Sequence, residues 1–130
     1  MARILIIDDD EPLRRMLARA LAREGFEVLV AADGQEGVRL HRAHSADLII
    51  TDILMPDQEG LETIAQLRRD SPAVKIIAIS GAGDHLGLDV LEVAKRLGAA
   101  TAIRKPVELP LLLQVVRDTL QTPPHLTAHR

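Results

Sequence analysis

Four short apolar runs of this sequence are each followed directly by a side chain that can do chemistry. Two runs end in carboxylates, one ends in a hydroxyl and one ends in an amine. Carboxylate oxygens are ligands for hard divalent cations, and a carboxylate is also a nucleophile that forms acyl phosphates. A hydroxyl and an ammonium group can stabilise the oxygens of a phosphoryl group during transfer. The residues concerned are Asp8 and Asp9, Asp52, Ser80 and Lys105.

The charges in this set predict a bound cation. Carboxylates a few ångströms apart repel one another and raise each other's pKa unless a positive charge compensates. Two compensating charges are available, the ammonium group of Lys105 and a divalent ion. Oxygen ligands with no His or Cys nearby favour Mg²⁺ over zinc. Because three carboxylates, one Mg²⁺ and one ammonium group have no net formal charge, the predicted pocket can accept a phosphoryl group.

Five apolar runs divide the chain at regular intervals. Each is short and rich in Ile, Leu or Val. The runs are apolar throughout rather than alternating, which predicts strands that are covered on both faces. The predicted strands are Ile4–Ile7, Val28–Ala31, Leu48–Thr51, Ile76–Ile79 and Thr101–Arg104.

The stretches between these runs have helical spacing. In the first, Glu11–Glu24, apolar positions including Met16 and Leu17 form one face, and Gly25 stops the helix. Asp33 predicts the cap of the second helix. The remaining predicted helices are Glu59–Arg69, Leu86–Leu97 and Glu108–Leu120. We interpret the arginines of the first helix as a solvated face, Arg14, Arg15, Arg19 and Arg23, and His41 and His44 of the second as surface histidines.

Strands that alternate with helices predict an α/β fold. The sheet is expected to be parallel, five-stranded and doubly wound, with five helices in a three-layer α/β/α arrangement. In such a sheet the carboxyl ends of the strands share one edge, and ligands bind there. We expect one domain over residues 1–120 and a flexible tail over residues 121–130.

Composition excludes several classes of protein. The absence of cysteine among 130 residues excludes disulfides, thiol nucleophiles and thiolate metal sites. A net charge of −3 argues against nucleic-acid binding through bulk charge, and a single aromatic residue, Phe26, excludes base-stacking platforms. The apolar runs are too short to span a membrane, and no cleavable signal is apparent. We therefore expect a cytoplasmic protein.

Four motifs of this chain closely resemble those of the receiver domain of two-component response regulators, and the resemblance covers residues 2 to about 120. It implies the strand order 2-1-3-4-5 and a fold like that of the chemotaxis regulators. The motifs, in chain order, are Ile-Leu-Ile-Ile-Asp-Asp-Asp-Glu-Pro, Asp-Leu-Ile-Ile-Thr-Asp-Ile-Leu-Met-Pro-Asp-Gln-Glu-Gly, Ile-Ala-Ile-Ser-Gly and Ile-Arg-Lys-Pro.

The resemblance implies a role for each matching residue. Asp52 matches the phospho-accepting aspartate. Asp9 matches a direct Mg²⁺ ligand, Asp8 an acid that reaches the metal through water, and Leu54 the residue whose backbone carbonyl binds the metal. In addition, Ser80 matches the hydroxyl that turns toward the phosphoryl group, and Lys105 the lysine that pairs with acceptor and phosphate, followed in the family by an often cis bond to Pro106.

The implied function is a signalling switch rather than a turnover enzyme. A receiver accepts a phosphoryl group from a phosphohistidine on a sensor histidine kinase or a histidine phosphotransfer protein, and catalyses only its own phosphorylation and dephosphorylation. It then signals through altered contacts with a downstream protein, which this sequence does not name. Direct nucleic-acid and membrane binding are not expected. Kinase docking near the first helix and homodimerisation through the fourth and fifth helices occur in the family.

One departure from the family keeps alternatives open. Many receivers carry Tyr or Phe three residues before the lysine, where this chain has Ala102, so the usual aromatic switch cannot operate. The glycine-containing segment after Ser80 is a candidate replacement. A degenerate receiver that docks without phosphorylation is one alternative. A phosphatase with an aspartyl nucleophile in the run Asp8–Asp10 is another, for which the chain is short.

Overall fold

The computed structural model describes residues 1–53, 59–81 and 90–122. Five strands alternate with five helices in these ranges, so the predicted (βα) pattern is confirmed. Leu54, residues 86–89 of the predicted fourth helix and residues 123–130 of the predicted tail lie outside the described residues. The elements are β1 (Arg3–Ile7), α1 (Glu11–Arg23), β2 (Glu27–Ala31), α2 (Gly34–His44), β3 (Leu48–Asp52), α3 (Glu59–Asp70), β4 (Lys75–Ser80), α4 (Val90–Leu97), β5 (Thr101–Arg104) and α5 (Leu109–Gln121).

All five strands form one parallel sheet in the order β2-β1-β3-β4-β5. This is the predicted order, and it reverses between β1 and β3. In the register, Ile7 at the end of β1 lies opposite Ala31 of β2 and Thr51 of β3. Residues that directly follow β1 therefore meet the end of β3, at the point where ligands bind in doubly wound sheets.

Side chains of the central strands alternate between two cores, one on each face of the sheet. In β1, Leu5 and Ile7 enter a core shared with α2, α3 and α4, whereas Ile4 and Ile6 enter a core shared with α1 and α5. Strands covered on both faces lack polar positions, which is why their sequences are continuously apolar. The three predicted layers are thereby confirmed.

The edge strand β2 departs from the prediction that every apolar run is covered on both faces. Its burial is partial at most positions, and Val30 is 43% exposed. An apolar sequence does not reveal whether a strand lies in the centre or at the edge of a sheet, and β2 has only β1 as a neighbour. A similar correction applies in α1, where Leu17 is fully buried but Met16 is 40% exposed.

Local signals mark the ends of α1 and α2, and the predicted cap at Asp33 and stop at Gly25 are confirmed. Asp10 caps α1 by accepting a hydrogen bond from the Leu13 amide, and Asp33 caps α2 by accepting one from the Glu36 amide. Gly25 follows α1 with φ of 93°, a left-handed conformation that favours glycine. Among the described residues, no helix is long and apolar enough to cross a membrane.

Candidate functional site

Three carboxylates come together at the carboxyl edge of the sheet. Asp8 and Asp9 follow β1, and Asp52 is the last residue of the neighbouring β3. Each offers an oxygen, and these oxygens lie within 4.8 Å of one another. Asp8 and Asp52 are 1% and 3% exposed, whereas Asp9 is open to solvent. The structure thus brings together the three acids that the sequence predicts.

Asp8 is the acid with the most unusual surroundings. Its Oδ1 atom accepts a hydrogen bond of 2.8 Å from the Asp10 amide, while its buried Oδ2 atom has no hydrogen-bond partner among the described residues. Burial raises the pKa of Asp8 to about 6; the charges of Asp52 and Asp9 act in the same direction, and the Asp10 amide and Lys105 oppose them.

Lys105 supplies a positive charge to this cluster. Its Nζ atom donates a hydrogen bond of 3.0 Å to Oδ2 of Asp52 and lies 3.6 Å from Oδ2 of Asp8. Burial by itself would lower the pKa of Lys105, but the hydrogen bond to Asp52 and the nearby carboxylates together raise it. Lys105 therefore stays an ammonium group. The bond from Lys105 to Pro106 is cis.

Ser80 ends β4 at the same edge of the sheet. It is buried, and its hydroxyl lies 3.4 Å from the carbonyl oxygen of Gly81. The neighbouring residue Ile79 is in register with Asp52 of β3. The strand order therefore brings Asp52, Ser80 and Lys105 to the carboxyl ends of three neighbouring strands, β3, β4 and β5.

A close backbone contact holds α3 behind Asp52. A Cβ atom at Gly60 would lie 2.3 Å from the Ile53 Cα and 2.7 Å from the carbonyl oxygen of Asp52. These obstacles are backbone atoms, which cannot rotate away. Only glycine therefore allows α3 to approach the end of β3 this closely.

Two side chains lie where the sequence analysis did not expect them. Arg14 is half-buried, and its Nη1 atom donates a hydrogen bond of 2.7 Å to the Asp8 carbonyl, so it is not part of a purely solvated face. His41 is 5% exposed rather than on the surface. Helical periodicity reports which side of a helix a residue is on, but not which neighbouring loop or strand end its side chain reaches.

His41 is bound inside the fold, away from the acidic edge. Its Nδ1 atom accepts a hydrogen bond of 2.9 Å from the Ala46 amide, so the ring proton lies on Nε2 and is donated to Oγ of Ser71, also at 2.9 Å. Burial lowers the pKa of His41, and the charge of Asp70 opposes that shift. Both ring nitrogens are occupied, so neither is available to a metal.

The acidic edge fits a hard cation. All three candidate ligands are carboxylates, which suit Mg²⁺ rather than softer metals. The buried Oδ2 of Asp8 has no hydrogen-bond partner among the described residues, and three carboxylates share one ammonium group, so the cluster has excess negative charge that suits a cation. The described residues therefore define an acidic cluster that could hold a metal.

Comparisons with known proteins agree with this fold. Residues 4–117 match the family model of the response regulator receiver domain. A response regulator receiver protein of Anaeromyxobacter sp. (strain Fw109-5) is 36% identical over 115 residues, which cover 88% of this chain and 47% of that protein. Chemotaxis protein CheY of Bacillus subtilis (strain 168) is 32% identical over 120 residues, which cover 91% of this chain and 97% of CheY.

Comparison with solved structures also shows similarity to receiver domains. The crystal structure of a CheY-like response regulator receiver domain protein from Methanospirillum hungatei JF-1 aligns with a TM-score of 0.84 at 32% identity, covering 92% of this chain and 94% of that one. The fold is that of a flavodoxin-like, doubly wound α/β protein with an acidic cluster at the carboxyl edge of its sheet. This chain belongs to the response regulator receiver family.

Several matching relatives are longer than this chain. It spans 47% of the Anaeromyxobacter protein and 25% of the DNA-binding transcriptional regulator NtrC of Azospirillum brasilense, to which it is 37% identical. The activities of those whole proteins are therefore not transferred to this chain by the match alone.

Proposed function

We propose that this protein is a phosphorylation-controlled receiver in which Asp52 accepts a phosphoryl group from a phosphohistidine in a Mg²⁺-dependent reaction. The observation that carries the proposal is the position of Asp52. Its carboxylate is buried, hydrogen-bonded to the Lys105 ammonium group at 3.0 Å, and clustered with Asp8 and Asp9. A nucleophile, a cation site and a fixed positive charge thus share one edge of the sheet.

The chemistry is a single group transfer. An oxygen of Asp52 forms a bond to phosphorus, the bond from phosphorus to the histidine nitrogen breaks, and the electron pair of that bond stays on the imidazole. In this proposal Lys105 neutralises charge on the transferred oxygens, and Ser80 hydrogen-bonds one of them. The product is an acyl phosphate on Asp52, and water removes the group by hydrolysis.

Four residues would hold the Mg²⁺. Asp9 and Asp52 are the direct carboxylate ligands in this proposal, Asp8 acts through water, and the backbone carbonyl of Leu54, which lies outside the described residues, is the fourth group. Bound Mg²⁺ supplies positive charge that stabilises the phosphoryl oxygens during transfer.

The partners follow from the same proposal. The donor is a sensor histidine kinase or a histidine phosphotransfer protein, and the output is a changed contact with a downstream protein in the cytoplasm. The protein catalyses only its own modification, so it is not an enzyme in the sense of substrate turnover. Ala102 lies in β5 opposite Ala78, so the contact change would proceed without the usual aromatic side chain.

The geometry favours this proposal over an aspartyl phosphatase that uses Asp8. The Lys105 ammonium group, which would stabilise a transferred phosphoryl group, is hydrogen-bonded to Asp52 at 3.0 Å but lies 3.6 Å from Asp8. A docking module without phosphorylation is also disfavoured, because such a module has no need of buried carboxylates beside a lysine. Burying a carboxylate costs free energy unless it is paired and hydrogen-bonded, and Oδ2 of Asp8 has no hydrogen-bond partner among the described residues.

Phosphotransfer followed by intact mass spectrometry tests the proposal. Wild-type protein incubated with phosphoramidate and Mg²⁺ is expected to gain one phosphoryl group, and EDTA is expected to prevent the gain. Asp52→Asn should show no gain, while Asp118→Asn, which changes an exposed aspartate of α5, should behave as wild type. Unmodified wild type would favour the docking module, and turnover of a phosphomonoester that Asp8→Asn abolishes would favour the phosphatase.

A further inference from the structure

The side chain of Arg14 reaches back from α1 to the end of β1. Its Nη1 atom donates a hydrogen bond of 2.7 Å to the backbone carbonyl of Asp8. The Arg14 amide donates to the carbonyl of Asp10 at 2.9 Å, so the same residue also closes the first turn of the helix. Arg14 thus contacts the backbone on both sides of Asp9, at the carbonyl groups of Asp8 and Asp10.

Hydrogen bonds hold both backbone polar groups of Asp8. Its amide donates to the carbonyl of Ala31 in β2 at 3.1 Å, which continues the β1–β2 pairing by one residue. Its carbonyl receives the guanidinium group of Arg14. Because a peptide unit is planar, fixing the Asp8 carbonyl also fixes the amide plane from which Asp9 begins.

The turn after β1 adds a second set of hydrogen bonds around the same carboxylate. The Asp10 amide donates to Oδ1 of Asp8 at 2.8 Å, and the Asp10 side chain in turn caps α1. The Asp10 amide belongs to the peptide unit after Asp9, whereas Arg14 holds the unit before it. Because the unit that Arg14 holds joins the Cα atoms of Asp8 and Asp9, a shift of that unit would move both carboxylates.

We propose that Arg14 is a positioning residue for the cation site, acting through the backbone of Asp8 to hold the carboxylates of Asp8 and Asp9 in the arrangement that binds Mg²⁺. This inference rests on the proposed function. Groups that orient metal ligands without touching the metal commonly change metal affinity by about 10- to 100-fold when they are removed. The guanidinium group is suited to this because its donors lie in a fixed plane.

The adjacent residue provides a matched control. Arg15 is on the same helix and carries the same charge, but its side chain is 61% exposed and pairs with Glu11 four residues earlier. Removing Arg15 changes the net charge of the protein as much as removing Arg14, and leaves the Asp8 carbonyl untouched. A difference between the two variants therefore separates positioning from bulk electrostatics.

The test compares Mg²⁺ titrations by isothermal calorimetry for wild type, Arg14→Met, Arg15→Met and Arg14→Lys. Calorimetry is suitable because the chain has no Trp or Tyr to report binding by fluorescence. We expect Arg14→Met to weaken Mg²⁺ binding by about tenfold or more, and Arg15→Met to stay within about twofold of wild type, as expected for a screened surface charge. Arg14→Lys keeps the charge and one donor, and should recover part of the affinity.

A second readout uses the metal-free protein. Amide hydrogen exchange of Asp10, whose amide bonds to Asp8, should accelerate in Arg14→Met and remain as in wild type in Arg15→Met. Equal effects of the two variants on both readouts would overturn the inference. If Arg14→Met does not fold, Arg14→Lys decides the question, since wild-type affinity and wild-type exchange in that variant would also overturn it.

Failure of the proposed function has a different signature. In that case wild-type protein itself would show no Mg²⁺ binding and no phosphorylation of Asp52, and the inference about Arg14 would fall with it. If wild type binds Mg²⁺ while the Arg14 and Arg15 variants are indistinguishable, only the inference about Arg14 fails.

Discussion

The Nζ atom of Lys105 lies 3.6 Å from Oδ2 of Asp8, beyond hydrogen-bond distance, although it lies 3.0 Å from Oδ2 of Asp52. Lys105 donates a hydrogen bond to Asp52 but interacts with Asp8 only through electrostatic attraction. Asp8 is thus a buried acid with one unsatisfied oxygen in the metal-free protein. Such an acid destabilises the fold when it is ionised.

We predict that Asp8→Asn makes the metal-free protein more stable. The raised pKa of Asp8, about 6, means that the folded state binds the proton more tightly than the unfolded state does. Stability from this group is therefore present at low pH and is lost as the pH rises through about 6. Urea unfolding in EDTA should show Asp8→Asn more stable than wild type by about 1–3 kcal/mol at pH 8, with the difference shrinking toward pH 5.

Asp118→Asn is the control for this measurement, since Asp118 is exposed on α5 and should show no such gain. Added Mg²⁺ should raise the stability of wild type and of Asp118→Asn more than that of Asp8→Asn. An Asp8→Asn protein that is less stable than wild type at pH 8 would show that the carboxylate stabilises the metal-free fold.

Replacement of Lys105 should separate cation binding from phosphorylation. The ammonium group competes with a cation for the charge of Asp52 and Asp8, so we expect Lys105→Met to bind Mg²⁺ at least as tightly as wild type. The same variant lacks the charge that would stabilise the transferred phosphoryl group. Its rate of phosphorylation by phosphoramidate should fall by about 100-fold or more.

Lys95→Met, a change of a lysine in α4, controls for the loss of one positive charge elsewhere in the protein. It should leave both the Mg²⁺ affinity and the phosphorylation rate near those of wild type. Parallel loss of Mg²⁺ binding and phosphorylation in Lys105→Met would mean that Lys105 maintains the shape of the acidic edge and does not act on the phosphoryl group.

Two glycines should differ in how they tolerate a methyl group. At Gly60 an added Cβ meets backbone atoms of Ile53 and Asp52, whereas at Gly37 it meets the end of the Ile7 side chain, 2.3 Å away. A side chain can shift, but the backbone behind Asp52 cannot do so without moving the acid. We expect Gly60→Ala to cost about 2–3 kcal/mol of stability and to weaken Mg²⁺ binding, and Gly37→Ala to cost about 1 kcal/mol.

Thermal and urea unfolding measure these costs, and calorimetry measures the binding. Glu62→Ala, at an exposed position of α3, controls for substitution in the same helix. Equal losses for Gly60→Ala and Gly37→Ala, with Mg²⁺ binding intact in both, would contradict the assignment of Gly60 as the contact that holds α3 behind Asp52.

The buried histidine should make stability depend on pH. Because burial lowers the pKa of His41, the unfolded state takes up a proton more readily than the folded state. The contribution of His41 is therefore full above about pH 6.5 and declines as the pH falls toward the folded-state pKa. The stability difference between wild type and His41→Gln should shrink from pH 7.5 to pH 5 in urea unfolding.

His44→Gln is the matched control, because His44 lies one helical turn away and is exposed. A change with pH in its stability difference as large as that of His41→Gln would show that the effect is not specific to the buried histidine. A constant difference for His41→Gln would show that burial does not lower the pKa of His41 in the folded protein.

The strands and helices could be predicted because their signals are local. Apolar runs, the cap at Asp33 and the stop at Gly25 each act within a few residues of their own positions. The exposure of β2 could not be predicted from its composition, because its position at the edge of the sheet is a property of the whole topology. The same sequence in a central strand would be buried.

The acids, hydroxyl and lysine of the candidate site could be predicted from the rule that parallel strands end at one edge. Arg14 and His41 could not, because each makes its key contact with a partner that helical periodicity does not register. His41 meets Ser71 from a loop thirty residues away in sequence. Arg14 meets a carbonyl, a group that every residue possesses and that therefore leaves no mark in the sequence.

The central position of β1 and β3 has a mechanical consequence for the acids that they carry. Two carboxylates on separate loops would relieve their repulsion by drifting apart. Here the ladder between the strands fixes the two main chains about 4.8 Å from each other, and the cores on both faces prevent the strands from separating. The sheet therefore holds the two carboxylates close together despite their repulsion. Part of the free energy of folding would then favour the binding of a positive ion between them.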